Sequence, residues 1–257
     1  MKITFLGTGT SSGVPVIACD CPVCASPDPR NKRRRTNLYV EAAGVHVVID
    51  TPPDFREQAL TFRIPRVDAV LITHSHADHI FGLDAIRRYN TIQESVIPVY
   101  ASPASCRDLN RIFDYVHNDS LPAGTYRPEV DFLDVTGPFE IGPLRIRPLG
   151  VVHGVAETLG YRIDAGGQTL GYVPDCKRMP ESVVEALAGV DVMILDALRH
   201  RPHVTHFTVA ESLAVLQRIR ARRSFLVHMC HDLDHEQTQQ GLPPGVEVSY
   251  DGLTVEW

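Results

Sequence analysis

The chain has 257 residues, 44% of them hydrophobic, and a formal charge of −6, which gives enough chain for a sizeable core but no global basic field of the kind that drives nucleic-acid binding. No stretch approaches ~18 consecutive apolar residues, so no membrane-spanning helix is expected. The chain opens without a charged region, apolar core and cleavage site, and three of its six cysteines crowd into Cys19-Asp20-Cys21-Pro22-Val23-Cys24; both features suit a reducing compartment, and the cytoplasm is the expected location.

In chain order, Met1 to Gly7 reads as a first strand. Leu6-Gly7-Thr8-Gly9-Thr10-Ser11-Ser12-Gly13 is glycine-rich, but it lacks the Lys-Ser/Thr of a P-loop and its third glycine falls one place too late for G-x-G-x-x-G. A tight turn is read there. The thiolates of Cys19, Cys21 and Cys24, at i, i+2 and i+5, can converge on one tetrahedral zinc, with a fourth ligand from elsewhere. Lys32-Arg33-Arg34-Arg35 reads as a solvated face, with a guanidinium turned toward a substrate phosphate as the functional alternative. Val45 to Ile49 is an apolar run ending in Asp50. Pro52-Pro53 breaks it before a short helical stretch with Phe55, Ala59 and Phe62 on one face.

Val67 to Ile72 reads as a buried strand, and Ile80, Leu83 and Ile86 follow at helical spacing. Between them lies Thr73-His74-Ser75-His76-Ala77-Asp78-His79. One histidine among 12 is usually a surface or core residue. Three imidazoles and a carboxylate crowded at the end of a buried strand, however, are poorly compensated without a cation. In an extended turn His74 and His76 point the same way and can grip one ion, while Asp78 and His79, at the incoming helix end, face a second.

Between Tyr100 and Leu144 the chain is polar, with a helix expected at Ser105 to Val116 and a loop around Leu121-Pro122-Ala123-Gly124. The later chain repeats the strand-then-ligand design. Leu144 to Val152 ends in His153, Thr169 to Val173 ends near Asp175, Val190 to Leu195 ends in Asp196, and Ser224 to Val227 ends in His228. Together with Asp50 and His74, these are termini that can meet in one cleft, because ligands of α/β sheets gather outside the carboxyl ends of strands. Pro180-Glu181 opens a helix over Ser182 to Ala188, with Gly189 past its end. Thr208-Val209-Ala210-Glu211 is a capping box ahead of an apolar stripe at Val209, Leu213, Leu216 and Ile219. His206 sits just before that helix, after His200 and His203 in a loop.

H-x-H-x-D-H after an apolar strand resembles the signature of the metallo-β-lactamase-fold hydrolases, whose αββα sandwich, an α/β fold, would cover residues 1–257 as a single domain. C-x-C-x-x-C near the start narrows the resemblance to the branch holding the cyclic phosphodiesterase of the carbon-phosphorus lyase pathway. The resemblance implies His74, His76 and His153 as ligands of one divalent ion and Asp78, His79 and His228 of a second, with Asp175 bridging and Zn2+ or Mn2+ as the ions. It implies a separate structural Zn2+ on Cys19, Cys21 and Cys24, closed by His231, with Cys230 and Cys106 as less favoured substitutes. Asp50 would orient the ligand shell by hydrogen bonding.

The activity implied is cleavage of a small phosphodiester, cyclic esters included, by a metal-bound hydroxide, with Asp78 and Asp175 in the catalytic machinery. His206-Phe207-Thr208 resembles the His-x-Thr element of tRNA-processing relatives and makes His206 the expected general acid. The alternatives are a thioester, lactone or nucleic-acid hydrolase on the same scaffold, or a non-enzymatic accessory protein of quinone-cofactor synthesis, which shares the cysteine clip. Lactamase activity is disfavoured by the missing signal peptide. A small-molecule partner is expected and no membrane; nucleic acid is disfavoured, and a homodimer is left open.

Overall fold

The computed structural model describes residues 1–118, 120–122 and 124–257. β1 (Lys2–Gly7), β2 (Asn37–Ala42), β3 (Val45–Ile49), β4 (Ala69–Leu71), β5 (Ile97–Ala101) and β6 (Val130–Asp134) lie side by side in one sheet. β7 (Phe139–Ile141), β8 (Leu144–His153), β9 (Ala156–Ala165), β10 (Gln168–Val173), β11 (Val192–Asp196), β12 (Arg223–Val227) and β13 (Val246–Val248) form the second, and β14 (Thr254–Glu256) returns to the first beside β1.

The two sheets share one pairing scheme. From β14 to β3 the neighbours are antiparallel, and from β3 to β6 they are parallel. From β7 to β10 they are likewise antiparallel, and from β10 to β13 parallel. Parallel strands need covered faces, so β11 is buried along its whole length, whereas antiparallel β8 alternates between buried and exposed positions over much of its course.

One core fills the space between the sheets, with Phe5, Val40 and Leu71 of the first against Ile146, Ile163 and Ile194 of the second. A second core packs helices Glu181–Leu187 and Val209–Ile219 on the outer face of the second sheet. A third packs the helical segments around Phe55, Leu83 and Leu109 on the outer face of the first. The layers are thus the αββα sandwich that the motif implied. Among the described residues no helix is long and apolar enough to cross a membrane.

Most expected helices lie where the sequence put them. Thr208 caps Val209–Ile219 with a complete capping box, and Pro180 opens Glu181–Leu187 with Gly189 just beyond. The helix expected over Ser105 to Val116 runs Pro103–Ile112 and then tightens to a 3-10 turn at Asp114–His117. Of the loop around Leu121–Gly124, Ala123 lies outside the described residues.

The Ile80-Leu83-Ile86 periodicity is not one helix but two short pieces, Ala77–Ile80 and Leu83–Ile86, broken at Phe81 and Gly82. The cause is tertiary: Gly82 N–H donates to the Thr51 carbonyl at 2.8 Å, and a Cβ on Gly82 would sit 2.0 Å from the Pro52 carbonyl. This contact clamps the histidine-rich turn onto the end of β3.

Candidate metal centre

All six strand termini meet in one cleft. Asp50 follows β3, His74 and His76 follow β4, His153 ends β8, Asp175 follows β10, Asp196 ends β11 and His228 follows β12. Possible ligand atoms of His74, His76 and His153 lie within 4.8 Å of one another, as do those of Asp78, His79 and His228. Asp175 stands between the groups, with Oδ2 3.3 Å from His79 Nε2, Oδ1 3.3 Å from His228 Nε2 and Oδ1 3.8 Å from His153 Nε2.

The charges suit cations. Burial opposes ionisation of Asp78 and Asp175, yet the facing imidazoles hold both carboxyls well below the usual carboxylate range. Burial likewise disfavours charge on His79, but Asp175, Asp50 and Asp78 raise it well above the ordinary histidine value; burial and His79 together push His74 the other way. Whether these residues fit divalent ions can be judged from atoms left unpaired. His79 Nε2, His228 Nε2 and Asp175 Oδ2 are buried with no hydrogen-bond partner, a costly state that cations among them would relieve.

The outer ends of the rings are held. His79 Nδ1 donates to Asp50 Oδ2 at 2.8 Å, while Thr73 N–H and Oγ1 donate to the same carboxylate, so Asp50 fixes the His79 ring. The Thr205 carbonyl accepts from His153 Nδ1 at 2.8 Å, and Ser75, between two ligand positions, donates to Asp108 Oδ2 at 2.6 Å from helix Pro103–Ile112. Asp50 and His228 hold left-handed backbone at φ 68° and 62°, a strain non-glycine residues keep only where the surroundings fix them.

His206 lies against this cluster, its ring stacked on His228 at 4.7 Å and 4.6 Å from that of His153. Its Nδ1 is 2.9 Å from Asp196 Oδ2. Burial and His228 lower its pKa to about 4, against the pull of Asp175 and Asp78, and burial raises that of Asp196. The partnership of Asp196 with His206 was missed in the sequence, although Asp196 closes a strand just as Asp50 does. His203 packs on His206 at 5.1 Å, whereas His200 is exposed.

The clip also assembles. His231 Nδ1 is 3.3 Å from Cys19 Sγ and 3.5 Å from Cys21 Sγ and Cys24 Sγ, a cage of three sulfurs and one nitrogen. Cys230 and Cys106 are turned elsewhere, toward the Asp232 backbone N–H and the Ala101 carbonyl. The four-residue run of basic side chains, by contrast, is no solvated face. Arg33 is 2% exposed and donates to Thr8 Oγ1 and the Ser249 carbonyl, while Arg35 pairs with Asp54. This segment braces the glycine loop: a Cβ on Gly7 would lie 1.9 Å from the Arg35 carbonyl.

A family model described as a beta-lactamase superfamily domain matches residues 46–229. Among curated proteins the chain is 34% identical to an octanoyltransferase of Porphyromonas gingivalis over 98% of its own length, but it spans only 51% of that protein. It is 30% identical to coenzyme PQQ synthesis protein B of Methylorubrum populi, covering 76% of this chain and 72% of that one. Among solved structures, a diphosphatase from the PhnP family superposes with a TM-score of 0.91 at 39% identity, covering 100% of this chain and 97% of the other. Zn2+-bound PqqB from Methylobacterium extorquens superposes with a TM-score of 0.82 at 23% identity, covering 100% of both. By its αββα sandwich, its matched domain and these likenesses, the chain belongs to the metallo-β-lactamase-fold superfamily, near the PhnP family.

Proposed function

We propose that the chain is a metal-dependent hydrolase of small phosphodiesters, cyclic esters included. His74, His76 and His153 hold one divalent ion, Asp78, His79 and His228 a second, and Asp175 bridges them. What carries this reading is the set of unpaired buried nitrogens and oxygens converging at the carboxyl ends of strands. They come from both sheets, which favours treating residues 1–257 as one domain. Likeness to a diphosphatase at 39% identity supports reaction at phosphorus. The octanoyltransferase activity is not carried over, because the chain spans 51% of that protein.

When bound, a pair of divalent ions supplies a water that ionises near neutral pH and a cationic seat for a phosphoryl oxygen. The chain's own residues do the rest. Asp50 and the Thr205 carbonyl fix the tautomers of His79 and His153. Asp196 holds His206 by Nδ1, leaving Nε2 to pass a proton to the departing oxygen. Burial disfavours the imidazolium in the free site, and a bound phosphate anion acts in the opposite sense, so His206 becomes an acid in the substrate complex. His206→Ala is expected to slow hydrolysis of alkyl phosphodiesters by ~10²–10⁴-fold while acting far less on p-nitrophenyl esters, whose leaving group departs unprotonated. Equal losses in steady-state kcat on both would make His206 a phosphate-binding group instead.

Pure protein is expected to hold about three ions per chain by elemental analysis, two at the paired site and one zinc at the clip; two or fewer after metal-replete purification would sink this arrangement. A second reading, a Zn2+-bearing accessory protein of cofactor synthesis, draws on the likeness to coenzyme PQQ synthesis protein B. Turnover of bis(p-nitrophenyl) phosphate, compared with a thioester and a lactone, separates these readings. No turnover of any of the three by metal-loaded protein would favour the accessory role.

A further inference from the structure

Away from the metal cluster, an apolar groove runs between helix Phe55–Thr61 and helix Arg87–Gln93, on the outer face of the first sheet. Its cavity of about 480 Å³ has the size of a small-molecule site, roughly 300–1,000 Å³. Each helix has seven residues and runs only about 10 Å, so the trough suits a short chain better than a peptide helix of several turns. The floor is fixed. Phe55 and Tyr89 are buried, their ring centroids lie 6.4 Å apart, and Tyr89 Oη donates to the Ile64 carbonyl at 3.1 Å.

The walls are uncovered. Leu60, Ile92 and Tyr126 line this cavity at 59%, 54% and 55% exposure. One exposed apolar side chain is ordinary on a protein surface, but three around one cavity make a patch that an apolar ligand would take out of water.

The charge of the rim sets what else that ligand carries. Arg56, Arg87 and Arg88 line the cavity and, among the described residues, no carboxylate does, although the whole chain carries a formal charge of −6. Arg87 is already committed: it pairs with Asp84 at 3.1 Å and stands 4.9 Å from the centroid of the Tyr126 ring. Arg56 and Arg88 are exposed. Among the described residues neither guanidinium donates a hydrogen bond or has a carboxylate within 4.0 Å. Arginine lays its stem along apolar surface while its head stays in water, and its planar fork matches a carboxylate.

We propose that this groove is a binding site for an amphipathic carboxylate, with an apolar chain laid against Leu60, Ile92 and Tyr126 and a carboxylate head at Arg56 and Arg88. The site lies outside the metal centre, and its occupancy does not depend on the hydrolase reading.

The test is calorimetric titration of metal-replete protein with decanoate, decyltrimethylammonium and acetate, each kept monomeric. Decanoate is expected to bind at one site, and decyltrimethylammonium, with the same chain and the opposite head, at least about tenfold more weakly. Acetate, which would report a carboxylate held at the metal centre, should not displace decanoate. The double variant Arg56→Glu, Arg88→Glu should reverse the order of the two decyl compounds, a gain that a misfolded protein would not show. Ile92→Asp, at a half-exposed position, should weaken decanoate by about tenfold or more with the unfolding transition kept. The proposal is overturned if wild type binds no decanoate, if the two decyl compounds bind within about twofold of each other, if acetate displaces decanoate, or if either variant binds as wild type does. Binding to phosphatidylglycerol vesicles without binding of decanoate would make this face a membrane contact and would overturn it as well.

Discussion

Asp78→Ala is expected to abolish phosphodiester turnover while leaving a cooperative unfolding transition. Asp78 Oδ2 lies 3.4 Å from His79 Nε2 and 3.6 Å from His228 Nε2, and it is the one carboxylate belonging to the second ligand group alone. Without it that group keeps two imidazoles, which neutralise none of the charge of a divalent ion, and a shared claim on Asp175. The side chain is 15% exposed at the first turn of Ala77–Ile80, so truncation opens no cavity in the core. Elemental analysis should show one ion fewer per chain and the far-ultraviolet circular dichroism should be preserved. Turnover within roughly tenfold of wild type would mean that the second ion is not needed for the reaction.

Cys21→Ala has the other large expected effect, on stability. The segment around the clip has little of its own to hold it: a helix of four residues, Pro22–Ala25, and a buried cluster of Val14, Val23 and Cys24. Binding energy at a structural zinc is folding energy. Removing one thiolate should release that zinc and lower the melting temperature by ~10 °C or more, given about 2–4 °C per kcal/mol for a chain of this size. Calorimetry and zinc analysis of the same sample check both. Should neither change, the clip is not a structural zinc site.

The candidate site was legible in the sequence where chemistry and strand ends coincide. Buried parallel strands such as β11 and β12 appear as apolar runs, and a histidine or aspartate closing such a run stands out. What stayed hidden was contributed by the backbone or by distant partners. The Thr205 carbonyl that fixes His153 has no side-chain signature, and Asp108, which accepts from Ser75, stands 33 positions away. Arg33 looked solvated because a run of four basic residues carries no sign of which one turns inward. The break in the Ile80–Ile86 helix depends on the Pro52 carbonyl, which local periodicity does not contain. Asp196 was seen as a strand end, but its pairing with His206 arises only when the loop folds back.

The first sheet is closed by its last strand: β14 pairs with β1, Lys2 lying opposite Glu256. The clip spans a similar distance, His231 standing 207 to 212 positions beyond the three cysteines. During synthesis the chain therefore emerges with His74, His76, Asp78 and His79 in hand but without His153, Asp175 or His228, and with three thiolates awaiting their imidazole. His228 and His231 leave the ribosome within four residues of each other, so both clusters become complete at almost the same moment. In the clip as proposed, the thiolates would be the first strong zinc ligands to emerge, and an ion captured there early would be handed its fourth ligand by the same short segment that brings His228 into the cleft.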